Sequence, residues 1–224
     1  RFVPMAQEAG VKPPVKAPLE DAARAIQFLR SKAGEWNIDK TRIGATGGSA
    51  GACSSLWLAF HDDMADPKSA DPVARESTRL TVAAVNGAQT SLEPKQLREW
   101  IPNMKYGGHA FGFSGAGGNG RDSQFQNFYD HRDEVKDWIK EYSPIAHVTR
   151  DDPPIFMFYP AQDKPPVKGE EQKDPTHTAL LGLLLEEKLK AEGVECHLDY
   201  IGRKDPNYPD IPSALIAKLK APKP

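Results

Sequence analysis

Apolar residues fall at helical spacing from Leu19 to Glu35, where Ala22, Ala25, Ile26, Leu29 and Ala33 share one face and Pro18 stands near the start, where it is tolerated. Residues 1–17, rich in Pro and Val without a period, read as an extended lead-in. After a turn at Asn37-Ile38-Asp39, Arg42 to Thr46 is a short buried strand closed by Gly47-Gly48, and Ser49 to Phe60 is helical again. Residues 61–79 are polar loop, and Leu80 to Ala88 is a second strand. Residues 92–142 carry short helices but no strand pattern, and their stretch from Gly107 to Gly120 is too Gly-rich for regular structure. Ile155 to Tyr159 is the clearest strand. A polar loop over 160–175, a helix from Thr176 to Glu192 that stops at Gly193, a strand from Val194 to Ile201 and a helix over 212–219 complete the pattern. Strands alternating with long helices predict an α/β domain, a mostly parallel sheet with flanking helices, in which 92–142 is a lid-like insertion.

Composition narrows the function classes. The 224 residues fit one domain, and a net charge of -2 gives no basic patch for nucleic acid. No apolar run has the length needed to cross a bilayer. The chain opens on Arg1-Phe2-Val3-Pro4, with no signal peptide, and reads as a trimmed or partial chain. Its two cysteines, Cys53 and Cys196, are expected to be packing residues, and they leave the compartment undetermined.

Between the first strand and its helix lies Gly47-Gly48-Ser49-Ala50-Gly51, a G-x-S-x-G sequence in the strand-to-helix context of a nucleophile elbow. Ser49 is the expected nucleophile, the Ala50 N–H an oxyanion donor and Gly48 a substrate-contacting position. The same residues also spell Thr46-Gly47-x-x-x-Gly51, which resembles the dinucleotide turn of short-chain dehydrogenases, and Tyr200 and Lys204 have the spacing of their Tyr-x-x-x-Lys pair. Tyr200 ends a strand rather than lying on a helix, and no acid-ended strand follows the glycines to hold a ribose, so an NAD(P)-dependent dehydrogenase is the weaker reading. A serine needs a base, and the base needs an orienting acid. Asp163, just past the Ile155–Tyr159 strand, is the expected acid, with Asp174 in the same loop as fallback. The loop after the last strand, 202–209, holds no His. His177, at the start of the helix after the acid loop, is the expected base. His197 lies inside a strand, and His109 reaches the site only from the Gly-rich stretch. His61, His131 and His147 read as structural, and no set of histidines has metal-ligand spacing with a Cys or carboxylate.

From Leu19 to Tyr200 the chain resembles the α/β-hydrolase esterase/lipase family, with the flavour of bacterial carboxylesterases and acetyl-esterase-like members. The likeness rests on Asp21-Ala22-Ala23-Arg24-Ala25, Asn37 to Ile43, the elbow, and Tyr142-Ser143-Pro144-Ile145 through Asp152-Pro153-Pro154-Ile155 to the acid loop. It implies a carboxylester hydrolase that cleaves small acyl esters through an acyl-enzyme, with no cofactor. Two departures from the family are expected to matter. Arg1-Phe2 reads as the tail of the strand before the first helix, so the family's earlier strands and its His-Gly-Gly-Gly oxyanion loop are missing, and so is the late histidine. The alternative reading is therefore a catalytically impaired, hydrolase-like binding protein. An elbow strand left open at one edge predicts a homodimer or swapped assembly.

Overall fold

The computed structural model describes residues 2–114 and 120–222. Four strands, β1 (Gly44–Gly48), β2 (Val82–Asn86), β3 (Ile155–Tyr159) and β4 (Cys196–Tyr200), form one parallel sheet in the order β1-β2-β3-β4. Each crossover contains helix: α4 (Ala50–Phe60) follows β1, α5 (Pro94–Trp100), α6 (Arg121–Asp130) and α7 (Lys136–Tyr142) lie between β2 and β3, and α8 (Ala179–Glu192) follows β3. Parallel strands need such connections, and their common direction brings all strand C-termini to one end. β1 is the edge strand of the described sheet.

The period-2 alternation of the strands divides the core. Ala83, Val85, Ile155, Met157, Tyr159 and Leu198 join the large cluster that includes apolar side chains of α4 and α8. Val82, Ala84 and Phe156 face the other way and are covered by α9 (Ile211–Lys220), through Ala214 and Leu215. From Ala52 onward α4 is buried nearly all round, apart from a half-buried Ser54, as a helix sandwiched between sheet and outer layer must be. α8 comes so close to the sheet that a Cβ on Gly182 would stand 2.5 Å from Tyr159 Cε2 and 2.6 Å from Leu198 Cδ1.

Ahead of the sheet, α2 (Lys16–Ser31) buries Leu19, Ala23 and Ile26 against the core. Its buried polar residues hold the long 61–79 loop. Gln27 donates to the carbonyls of Met64, Ala74 and Glu76, and Arg30 to those of Lys40, Ser77 and Arg79. Five of these six carbonyls lie in the 61–79 loop, so α2 satisfies part of that loop's backbone.

Several sequence expectations are corrected. The lead-in is not uniformly extended, nor is Phe2 a strand tail: α1 (Phe2–Glu8) is a helix, which accepts Pro4 because the first turn has no intrahelical N–H partner to lose. The helix expected to run to Glu35 breaks at Lys32, and a separate short α3 (Ala33–Trp36) ends on Asn37 in the left-handed region at φ 53°. The first strand lies two residues later than read, because Gly47 and Gly48 continue the ladder opposite Val85 and Asn86. The Gly-rich stretch holds a 3-10 turn over Gly108–Phe111 with Ala110 and Phe111 buried, while its 115–119 portion lies outside the described residues. Within 92–142, Ile101, Met104, Phe111, Phe125 and Phe128 belong to the main cluster.

Candidate active site

Ser49 stands where β1 ends and α4 begins. Its N–H still donates to Asn86 O at 3.0 Å, while its own C=O already accepts from Cys53 N at 3.0 Å. The residue has φ 53° and ψ −120°, outside the regions a side chain prefers. Such strain persists only where neighbours enforce it. Here strand and helix are so close that a Cβ on Gly47 would meet Gly51 C at 2.4 Å and Gly51 O at 2.5 Å. The result is a hydroxyl projected at the C-terminal end of the sheet, beside a helix N-terminus whose first-turn amides, Ala50 first, point at the same region.

His177 supplies the imidazole. Its Nε2 lies 2.9 Å from Ser49 Oγ, and its Nδ1 lies 2.7 Å from Asp174 Oδ2. With Nδ1–H donating to the carboxylate, Nε2 is the acceptor for the serine proton. Asp174 is itself fixed by an Asx turn in which Oδ1 accepts from Thr176 N at 3.1 Å and His177 N at 3.3 Å. Burial works to raise the Asp174 carboxyl, but the His177 ring, its charge and these amides hold it below the usual carboxylate range. Asp174 and His177 therefore occupy one turn immediately before α8, whose N-cap is Thr178.

Long-range bonds hold that turn against the serine. The ring of His177 rests on Gly87, whose φ of 57° lets β2 hand over to the next loop; a Cβ there would lie 3.3 Å from His177 Cδ2. Gln89 Nε2 donates to Thr176 O at 2.9 Å and to Gly87 O at 3.2 Å. Asn103 exchanges two bonds with the backbone of Gln172, at 2.8 and 3.0 Å. Gln89 is 3% exposed, and its Oε1 has no partner among the described residues.

The expected site residues are thus partly reassembled. Ser49 and His177 are in contact, and the Ala50 N–H begins the helix beside them. Asp163 is not the carboxylate on the histidine: it is exposed and paired with Lys173 at 3.2 Å, which keeps its carboxyl low. That position belongs to Asp174. Gly48 is exposed and lines neither compartment described below. His197 is packed, as a strand residue should be, stacked on Phe156 at 4.6 Å and bonded to Asp205 and Glu195. The dehydrogenase reading fails on the same strand, since Tyr200 ends β4 and Lys204 pairs with Asp199 in the turn that follows. Sequence reasoning missed Gln89, Asn103, Lys105 and Arg121; the Asp-Pro-Thr-His spacing was the one local signal that favoured Asp174.

Two compartments open at the elbow. A polar one of about 350 Å³ is lined by Ser49, Lys105, Tyr106, His109, Arg121 and Gln124, with Gly107 and Gly108. An apolar one of about 490 Å³ lies against Ala50 and Gly51 and is walled by Val15, Leu19, Leu92 and Ala110. Tyr106 and His109, edge to face at 4.9 Å, border both. Burial, with the charge of Arg121 after it, keeps His109 below the usual imidazole range.

Comparison with known proteins identifies the family and the fold. The BD-FAE family model matches residues 10–174, taking in the elbow and Asp174. The chain is similar to the acetyl ester-xyloside bifunctional hydrolase of Caldicellulosiruptor lactoaceticus, with TM-score 0.58 and 26% identity, over 84% of this chain and 56% of that one. It also resembles the thermophilic esterase Est2 of Thermogutta terrifontis, with TM-score 0.54 and 23% identity, over 84% and 53%. A segment of 60 residues, 25% of this chain, is 45% identical to 9% of endo-1,4-beta-xylanase B of Butyrivibrio fibrisolvens. The chain spans little more than half the length of the solved structures it matches. The elbow, the parallel sheet and the family match together place the chain in the BD-FAE family, with the α/β-hydrolase fold of the esterases.

Proposed function

We propose that this chain hydrolyses carboxylic esters with small acyl groups through a serine acyl-enzyme. One observation carries the reading: an unbroken hydrogen-bond chain from Ser49 Oγ through His177 to Asp174, begun on a strained elbow. His177 Nε2 takes the Ser49 proton as Oγ attacks the ester carbon. The new C–O bond pushes the carbonyl electrons onto oxygen, and the Ala50 N–H is placed to hold that charge. Collapse expels the alcohol, which takes the proton from His177. Water then repeats the sequence on the acyl group, and the acid is released. Asp174 keeps His177 in the tautomer that accepts at Nε2 and balances the imidazolium.

The fold neighbour from Caldicellulosiruptor, an acetyl ester-xyloside bifunctional hydrolase, supports a small acyl group. The reading as a binding protein that lost its base rested on the missing His in 202–209, and the imidazole 2.9 Å from Ser49 removes that motive. The test is turnover of 4-nitrophenyl acetate by the wild type and by Ser49→Ala, with fluorophosphonate labelling of both. The expected result is turnover and labelling by the wild type alone. Equal rates in the two proteins, with no labelling, overturn the proposal.

A further inference from the structure

The compartment that opens directly on Ser49 differs from its apolar neighbour in charge. Two cations, Lys105 and Arg121, stand in its wall, and no carboxylate does among the described residues. Neither cation is neutralised by a close partner. Lys105 reaches Asp122 only at 4.0 Å, and that carboxylate is 84% exposed; Arg121 has no ion pair among the described residues. The other lining side chains bring no anion: Gln124 is neutral, Tyr106 stays protonated because burial raises its phenol, and His109 is held toward its neutral form. The field of Arg121 is felt across the cavity, since it acts on both Tyr106 and His109. A neutral acetyl ester of a neutral alcohol has nothing to offer these two charges. An ester that also carries a carboxylate has.

Resting on the hydrolase reading, we infer that this compartment selects esters bearing a second, anionic group, with Arg121 and Lys105 as the specificity-determining residues. Arg121 offers a planar fork suited to a carboxylate, and Lys105 a flexible point charge on the wall of the same cavity. The carboxylate has two possible sources. It belongs either to the acyl part, as in a half-ester of a dicarboxylic acid, or to the alcohol part, as in an O-acylated hydroxy acid or sugar acid.

Matched pairs of substrates test this. In the acyl arm, mono-(4-nitrophenyl) succinate is compared with 4-nitrophenyl pentanoate; in the alcohol arm, 3-acetoxybenzoate with phenyl acetate. The expected result is a kcat/KM ratio of anionic to neutral ester of about tenfold in one arm, the scale of one partly exposed charge-assisted contact. That ratio falls toward one in Arg121→Gln and Lys105→Gln, and shrinks as salt is raised. Ratios at or below one in both arms, or a preference the double variant leaves intact, overturn the inference. Failure of the hydrolase reading looks different, because then neutral and anionic esters alike are turned over no faster than by Ser49→Ala. In that event monomethyl succinate titrated into the wild type by calorimetry still decides: salt-sensitive binding lost in Arg121→Gln supports the anion site, and absence of binding sinks it.

Discussion

Asp174 and Asp163 lie in one loop, and only one of them touches His177, so parallel Asn substitutions separate the two assignments sharply. In Asp174→Asn the turn survives, because the side-chain carbonyl still accepts from Thr176 N and His177 N, as Asn does in Asx turns. What is lost is the negative charge 2.7 Å from Nδ1. If the amide turns its NH₂ toward the ring, His177 takes the wrong tautomer and presents N–H, not a lone pair, to Ser49. The magnitude follows from where the pair sits. The two side chains are 32% and 40% exposed, so the effective dielectric lies between a surface value and that of water. At a charge separation of ~4 Å, that range gives about 1 to 4 kcal/mol of imidazolium stabilisation. The corresponding loss of kcat is roughly 5-fold to 1000-fold, below the ~10⁴-fold of a fully buried triad aspartate.

Asp163→Asn removes only a pair between two well-exposed side chains, and the expected change in kcat is less than about twofold. The assay is kcat and KM on 4-nitrophenyl acetate for both variants, with a thermal melt to show that each is folded. The loss is expected in kcat with KM little changed, because the charge acts when the imidazolium forms. An Asp174→Asn protein with wild-type kcat, or an Asp163→Asn protein as damaged as Asp174→Asn, refutes the assignment.

Three further outcomes are expected. Gly47→Ala drives a Cβ to 2.4 Å from the Gly51 backbone, which cannot give way without moving α4, so fluorophosphonate labelling of Ser49 is lost and the melt drops by the equivalent of about 1–3 kcal/mol. Gln89→Leu strands the carbonyls of Thr176 and Gly87 inside the protein; it costs about 1–3 kcal/mol by denaturant melt and lowers kcat, whereas Gln89→Leu at wild-type kcat and stability shows that the pin is idle. The Asp152 carboxyl, pushed up to about 6 chiefly by burial, binds its proton more tightly folded than unfolded. Its contribution is therefore most favourable below pH 4 and is lost as pH rises through 6, so the stability of Asp152→Asn relative to wild type improves over that window by up to roughly 2–3 kcal/mol; a flat difference between pH 4 and 7 refutes this.

What the sequence showed and what it hid divide along the distance over which information acts. Ile155–Tyr159 is the same five residues in pattern and in structure because an unbroken apolar run after Pro153-Pro154 is a local signal. The elbow was legible for the same reason, as five residues in a strand-to-helix context. The break at Lys32 and the helix α1 were not, because Ala33 continues the apolar period and the Pro and Val residues mask a first turn that tolerates them. Asp163 looked better than Asp174 by its distance from β3. The fold of the loop between them is decided by bonds from Asn103 and Gln89, 69 and 87 residues away in the chain, which no local pattern encodes. Lys105 and Arg121 likewise reach one cavity wall only through the folding of the 92–142 segment.

On the hydrolase reading proposed above, the siting of Asp174 and His177 on one turn removes the need for a histidine in 202–209. Where the acid follows one strand and the base another, their contact depends on the packing of two loops. Here Asp174 and His177 are three residues apart, so their mutual geometry is set by the Asx turn and travels with it. Only one relation remains for the tertiary structure to fix, that between the turn and Ser49, and it is fixed from β2 and its following loop: the ring lies on Gly87, and Gln89 holds Thr176 O. β2 is the immediate neighbour of β1, and Ser49 N–H is bonded to Asn86 O, one residue before Gly87. Ser49 and His177 are thus anchored to adjacent residues at the C-terminal end of β2, Asn86 and Gly87. The region after β4 is released from that duty and taken up by structure instead: Tyr200 and Arg203 exchange backbone bonds, Arg203 pairs with Glu186 on α8, and Asp205 holds His197.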